Sequence, residues 1–273
     1  MTFTEHRHAN GVTYLTAPVI SARHAFTTRL GGVSTGALSS LNLSRSRETS
    51  PDAVRENYRR LGEATGIDTA HMAFTQQVHG AAVRVVTDAD ARTPVAYEAN
   101  VCKPVPYEAD GLVTNVPGLA LICFTADCVP VLLCDALHGV AAAVHCGWRS
   151  SVQDILGVAL EKMRALGADP ETTAAAIGQA ISRCCFEVGE EVTETAAHWL
   201  GGDLNGLYTP REGVPGKYLL DLKGANARRL TQLGLRAERI AVSDDCTFCL
   251  PQKYWSHRYT HGNRGAQGAL IVL

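Results

Sequence analysis

The chain has 273 residues, enough for one large domain or two small ones. Its formal net charge of −2 leaves no electrostatic footprint for nucleic acid or an anionic membrane surface. An apolar content of 46% is that of an ordinary globular protein, and no apolar run is long enough to span a bilayer. The opening MTFTEHRHANG lacks the apolar core of a signal peptide, so the cytoplasm is the expected compartment.

Strands and helices alternate along the chain. His24–Thr28 reads as a strand. Pro51 after Ser50 opens a helix in which Val54, Tyr58 and Leu61 form an apolar stripe. Ala81–Val86 is again strand-like. From Asp88 to Tyr107, Pro94, Pro104 and Pro106 sit among mixed polar residues, and a loop of this length is usually functional or mobile. Leu119–Phe124, Val129–Leu133 and Val140–Val144 read as strands. Ser151-x-x-Asp154 has the form of a capping box and predicts a helix with Ile155, Ala159, Met163 and Leu166 on one face. The chain closes on the apolar strand Ala269–Leu273. The expected architecture is mixed α/β (α+β), a single domain over residues 1–273 with a mixed sheet flanked by helices.

Chemistry concentrates in three short blocks: TQQVHG with His79, FTADCVPVLL with Cys128, and AAAVHCGWRS with His145. Imidazole and thiolate together suit zinc or copper, and three protein ligands leave a coordination position open. Cys128 and His145 are 17 residues apart and each adjoins an apolar run, which fits two neighbouring strands meeting at one end. Asp127 places a charge where an apolar run breaks, a costly position unless it is paired or coordinates something. The helix expected after Arg149 would aim its positive end at the same place, an arrangement that attracts phosphate.

Nine cysteines without a secretory signal do not read as a disulfide framework. Cys123, Cys134 and Cys146 lie in strand-like runs and read as small hydrophobes. Cys184 and Cys185 are adjacent and, if extended, point to opposite faces. Cys246-Thr247-Phe248-Cys249 is half of a zinc-ribbon pattern with no second CxxC, so four-cysteine zinc is not expected.

In order, the blocks FTTRLGGVSTGALSSLNLS, TQQVHG, EADGLVTN, TADCVPVLL, AAVHCGWRS, IGQAISRCCFEVG, YLLDLKGANARRL, CTFC and YWSHR resemble the YfiH/YlmD-like family. These proteins were long labelled polyphenol oxidases or laccase-domain proteins and are now regarded as zinc-dependent purine nucleoside phosphorylases with adenosine deaminase activity. The resemblance covers nearly the whole chain. It implies that His79, Cys128 and His145 are the metal ligands, with zinc favoured over copper. It also implies that Arg29, Asn42 and Ser44, with Arg258, contribute to the substrate pocket. Beside these, Gln77 adjoins the His79 block as a substrate candidate, Arg149, Arg29 and Arg258 are the candidate phosphate clamps, and Asp127, next to Cys128, is a proton carrier or orients a histidine. The implied partners are a purine nucleoside and phosphate, and the expected assembly is a monomer or small homo-oligomer. Three departures stand out: the long 88–107 segment, HCGWRS where the family reads HAGWRG, and Asn263-Arg264-Gly265 in place of a Gly-Arg pair. The last leaves Arg264 without an assigned role.

Three chemistries compete. Zinc with an open position lowers the pKa of water toward neutrality and suits deamination at C6 of adenosine. The same site beside arginines suits phosphorolysis of adenosine, inosine or S-methyl-5′-thioadenosine to free base and ribose 1-phosphate. Copper oxidation fits less well, because blue copper sites add an axial methionine and only Met1, Met72 and Met163 exist. A metal-free Cys128–His145 hydrolase, such as one editing peptidoglycan precursors, matches the family's described relation to toxin deamidases with a Cys–His dyad, but gives His79 no role. The H-x-E and P-C-x-x-C signature of the zinc base deaminases is absent.

Overall fold

A computed structural model describes residues 2–69, 72–91 and 108–273. Strands β1 (Thr4–Arg7), β2 (Thr13–Thr16) and β3 (Arg23–Thr27) precede helix α1 (Pro51–Thr65). Then come β4 (Met72–Ala73), β5 (Val83–Val85) and the single turn α2 (Asp88–Ala91). The expected irregular segment from Asp88 therefore begins as helix, and its remainder from 92 to 107 lies outside the described residues. Strands β6 (Gly111–Thr114), β7 (Ala120–Thr125), β8 (Val129–Asp135) and β9 (Val140–Cys146) lead to helices α3 (Trp148–Val152) and α4 (Ile155–Ala165). The chain continues through β10 (Ala174–Ile177), β11 (Glu187–Gly189), α5 (Glu190–Trp199), β12 (Tyr208–Pro210) and β13 (Lys217–Leu220). It ends with α6 (Leu222–Gln232), β14 (Ile240–Val242) and β15 (Gln267–Val272).

The mixed α/β class is as expected, and the strands divide between two six-stranded sheets. One runs β1-β2-β3-β15-β7-β4 and the other β14-β10-β8-β9-β6-β5; β11, β13 and β12 form a small third sheet. Every residue of β8 and β9 is buried, because both faces are covered. Even positions of β8 and odd positions of β9, such as Leu132, Ala141 and Ala143, meet Phe26, Leu121 and Ile271 of the first sheet. The opposite positions, Val131, Leu133, Ala142 and Val144, pack under Ile155, Ala159 and Met163 of α4 and Leu230 of α6. On the far side, α1 lays Val54, Tyr58 and Leu61 over Ile122 and Leu270. The order from outside to outside is helix, sheet, sheet, helix. No helix among the described residues is long and apolar enough to cross a membrane.

Local signals account for most helix ends. The Ser50 hydroxyl accepts from the Ala53 amide, Pro51 fills the first turn, and Gly66 closes α1 in the left-handed region at φ 66°. The capping box at Ser151 is not realised. Ser151 lies inside α3, which ends at Val152, and its hydroxyl bonds Asn226 instead of capping a helix start. Asp154, at φ 62°, separates α3 from α4. Its carboxylate instead accepts from Arg229 Nε and Nη2, both at 2.7 Å, and from Trp199 Nε1 at 3.2 Å, tying α4 to α5 and α6.

That tie carries a pH signature. Burial alone raises the Asp154 carboxyl, but hydrogen bonds from Arg229 and Trp199 hold it below the ordinary carboxylate value. Its stabilisation is thus complete above the ordinary value and fades as pH falls through the depressed one. Arg229→Leu should lose about 1 kcal/mol at neutral pH, a figure discounted for the partial exposure of the pair. Urea midpoints of the two chains should converge in acid, and a gap that persists there would assign the loss to packing instead.

Candidate metal centre

The two sheets leave room for polar side chains only where their buried strands end. Cys128 sits immediately before β8, and His145 is the penultimate residue of β9, paired with Pro130. His79 arrives on the segment between β4 and β5. The candidate ligand atoms of the three side chains lie within 4.8 Å of one another. Cys128 Sγ is 3.9 Å from His79 Nε2, and the two imidazoles meet edge to face with centroids 4.8 Å apart. Cys146 faces the other way, into the core under α4, as strand alternation requires. Gly147 borders the group: a Cβ there would stand 3.1 Å from His79 Cδ2, 3.4 Å from Cys128 Sγ and 3.6 Å from His145 Cε1. Glycine therefore keeps open the space that the three ligands face.

Asp110, the first residue of the DGLVT run and 1% exposed, organises the centre. One of its oxygens accepts from His145 Nδ1 at 2.8 Å, which leaves Nε2 as the atom free for a metal. Its carboxylate also accepts from three successive amides, Val78 at 3.1 Å, His79 at 3.0 Å and Gly80 at 2.8 Å. This nest of amides holds His79 at φ 61°, a region that histidine visits at a cost. Nothing in the three ligand blocks points to Asp110. Its signal is a charge at the start of the apolar run GLV, the same logic that singles out Asp127.

The electrostatics favour an ionised pair. Burial on its own raises the Cys128 thiol, but the charge and hydrogen bonding of His145 and His79 bring it down to about 6. Burial likewise lowers His145, yet Cys128 and Asp110 raise it to about 9. A thiolate and two imidazoles form a borderline-soft donor set that fits one zinc ion with a position to spare.

The remaining candidates make contacts of their own. Asp127, at φ 85°, accepts from Thr247 Oγ1 and from the Arg258 amide, each at 2.6 Å, while the histidine-orienting contact belongs to Asp110. Gln77 pins the end of β7 by pairing both its amide atoms with the backbone of Phe124. Buried Asn42 accepts from the Ser44 and Ala266 amides, and the Ser44 hydroxyl lies 3.5 Å from that of Ser46. Arg29 lies 3.8 Å over the Trp255 ring and donates to carbonyls of Ser39 and Pro251. Arg258 donates to the Glu187 carbonyl. Arg149 is exposed and stacks on Trp148 at 4.5 Å. Arg264, which the sequence left without a role, feels the charges of Cys128 and Asp127. Its Nε is buried with no partner, burial and Arg47 depress its pKa, and the charges of Cys128 and Asp127 oppose that shift. The His257 imidazole feels burial, then Arg264, and also Arg47 and Arg258. Arg264 thus brings a cation within reach of the Cys128 and Asp127 charges.

The profile of the family described as multi-copper polyphenol oxidoreductase laccase matches residues 23–273. A purine nucleoside phosphorylase of Deinococcus radiodurans is 38% identical over 97% of this chain and 94% of its own length. The crystal structure of YlmD from Geobacillus stearothermophilus superposes with a TM-score of 0.86 at 32% identity, covering 98% of each chain. The Bacillus licheniformis hypothetical protein YfiH gives 0.85 at 27% identity, again covering 98% of each. The protein belongs to this laccase-domain family, whose relatives include proteins named purine nucleoside phosphorylase.

Zinc affinity should separate the neighbours of the centre when measured by chelator competition. Cys128→Ala should abolish tight binding there, and Asp110→Asn should weaken it by about 10–100-fold by loosening the hold on His145. Cys146→Ala should leave it nearly intact. Equal weakening by the two cysteine substitutions would mean that the ion is not held at these strand ends.

Proposed function

We propose that the protein is a zinc-dependent purine nucleoside phosphorylase that also deaminates adenosine. The carrying observation is the convergence of two imidazoles and a depressed-pKa thiol on the space beside Gly147, with Arg264 close enough to feel the charge of Cys128. His79, Cys128 and His145 hold the ion, which when bound supplies Lewis acidity and a water of lowered pKa. Arg264 and Arg47 bind phosphate as the charge-compensating pair, and the unpartnered Nε of Arg264 is the donor that phosphate satisfies. In phosphorolysis a phosphate oxygen bonds C1′ as the C1′–N bond to the base breaks, giving ribose 1-phosphate and the protonated base. Adenosine, inosine and S-methyl-5′-thioadenosine share that bond, the last giving S-methyl-5-thioribose 1-phosphate instead. In deamination water adds at C6 of adenosine and ammonia leaves, with no need for phosphate.

Two other chemistries are distinguishable from this one. Copper oxidation of the blue-copper kind takes a weak axial methionine; Met72 and Met163 are both buried in apolar cores away from the ligands. A Cys–His hydrolase gains an orienting group from Asp110, so Cys128, His145 and Asp110 form a nucleophile, base and carboxylate in series. That reading requires hydrolysis to survive removal of all metal, which the zinc reading forbids.

Adenosine incubated with and without phosphate tests the proposal, with adenine, inosine and ribose 1-phosphate quantified together. Arg264→Ala should raise KM for phosphate and cut phosphorolysis by about 10–100-fold, the loss of a charge-assisted contact. Deamination should fall far less, and Arg149→Ala should change either reaction little. Equal losses in both reactions would place Arg264 on the nucleoside or in the fold, and a metal-replete chain forming neither product would refute the assignment.

A further inference from the structure

Four cysteines outside the centre also converge. The sulfurs of Cys184, Cys185, Cys246 and Cys249 lie within 4.8 Å of one another. Cys249 Sγ is 3.7 Å from Cys184 Sγ and 3.4 Å from Cys185 Sγ, so these are separate thiols rather than a disulfide. A single tetrahedral ion with Zn–S bonds of about 2.3 Å has sulfur–sulfur edges of about 3.8 Å. The two closest separations fall just short of that edge, and a group held within 4.8 Å is too small for four sulfurs to surround a cluster of several irons. Four bare thiolates this close would repel one another strongly, and a divalent cation between them removes that cost.

The sequence pattern hides this group because its second half is not a CxxC. Cys184 and Cys185 lie in a turn between β10 and β11, not in a strand, so their side chains are not sent to opposite faces. Cys246-x-x-Cys249 is also a turn, closed by the Leu250 amide donating to the Cys246 carbonyl at 3.1 Å. The Ser182 amide donates to Cys246 Sγ at 3.4 Å. An amide directed at a sulfur suits a metal-bound thiolate better than a thiol, which is a weak acceptor.

We propose that Cys184, Cys185, Cys246 and Cys249 form a second metal site, a tetrathiolate that takes one zinc-type divalent ion. Four protein ligands leave no open position, so the site is structural. Its place in the fold gives that structure a purpose. Thr247, inside the Cys246–Cys249 turn, donates its hydroxyl to Asp127, the neighbour of Cys128, and its amide to Ala180 at 3.1 Å. The ion ties together two loops 64 residues apart and so fixes the Thr247–Asp127 contact behind the first centre.

Cobalt(II) added alone to a Cys128→Ala chain tests the site with the first centre disabled. The expected result is one cobalt per chain with strong sulfur-to-cobalt charge transfer and tetrahedral visible bands, all displaced by zinc. Cys246→Ser/Cys249→Ser in the same background should lose them. Absence of the bands from the Cys128→Ala chain, or their persistence in the serine variant, would overturn the proposal. A second measurement needs no substitution. Iodoacetamide labelling read by peptide mass should find Cys184, Cys185 and Cys249 protected in the zinc-loaded chain and released together by chelator. Labelling of Cys184 and Cys249 that ignores chelator, or a Cys185–Cys249 disulfide in the zinc-loaded chain, would also overturn it.

Discussion

A carboxylate buried as deeply as Asp110 is tolerable only when donors fill its oxygens. Four donors do so here: the imidazole of His145 and three consecutive amides from Val78 to Gly80. The backbone adds a fifth link in the same sense, from the His145 amide to the Asp110 carbonyl at 2.7 Å. One residue thereby binds the segment before β5, the start of β6 and the end of β9 into a single unit. Two of the three ligands, His79 and His145, take their positions directly from that unit. The third, Cys128, is delivered by the β8–β9 pairing, whose register sets Val129 opposite Cys146.

The stacking of two sheets between helices explains why chemistry appears where it does. Strands buried on both faces have no polar side to offer, so β8 and β9 read as continuous apolar runs. Functional groups can enter only at the strand ends, where Asp127 at φ 85° and Gly147 turn the chain away from the sheet. The wholly apolar run followed by a polar break is therefore both the fold signal and the site signal. This is why Cys128 and His145 are legible from sequence.

Other features follow rules that sequence spacing does not carry. The division of strands between two sheets depends on pairings such as β15 between β3 and β7, which join opposite ends of the chain. Ser151 and Asp154 satisfy a local capping pattern, yet Arg229, 75 residues away from Asp154, captures the aspartate and ends the pattern. Tertiary charge pairing outweighs the roughly 1 kcal/mol of a cap. Asp110 escapes notice because three of its four donors are backbone amides, which leave no trace in side-chain spacing. The four clustered cysteines escape it because a turn, unlike a strand, lets adjacent residues face one point. Arg264 is similar: what marks it is a buried donor without a partner, a property that exists only once the chain is folded.

His79 bears most directly on the choice between a metal centre and a bare cysteine nucleophile. Cys128, His145 and Asp110 alone would serve a hydrolase, and a third polar group beside them would then be dispensable. Yet the chain holds His79 in the left-handed region, using three amides to do so, and points its Nε2 to within 3.9 Å of the thiol. Backbone strain of this kind persists where the surroundings over-determine a geometry that function requires. Two imidazoles edge to face around one sulfur would crowd a nucleophile's approach, whereas they complete three corners of a tetrahedron around an ion. Gly147 keeps clear the space those corners face. The cost of placing His79 thus accords with the proposed coordination and has no counterpart in acyl transfer.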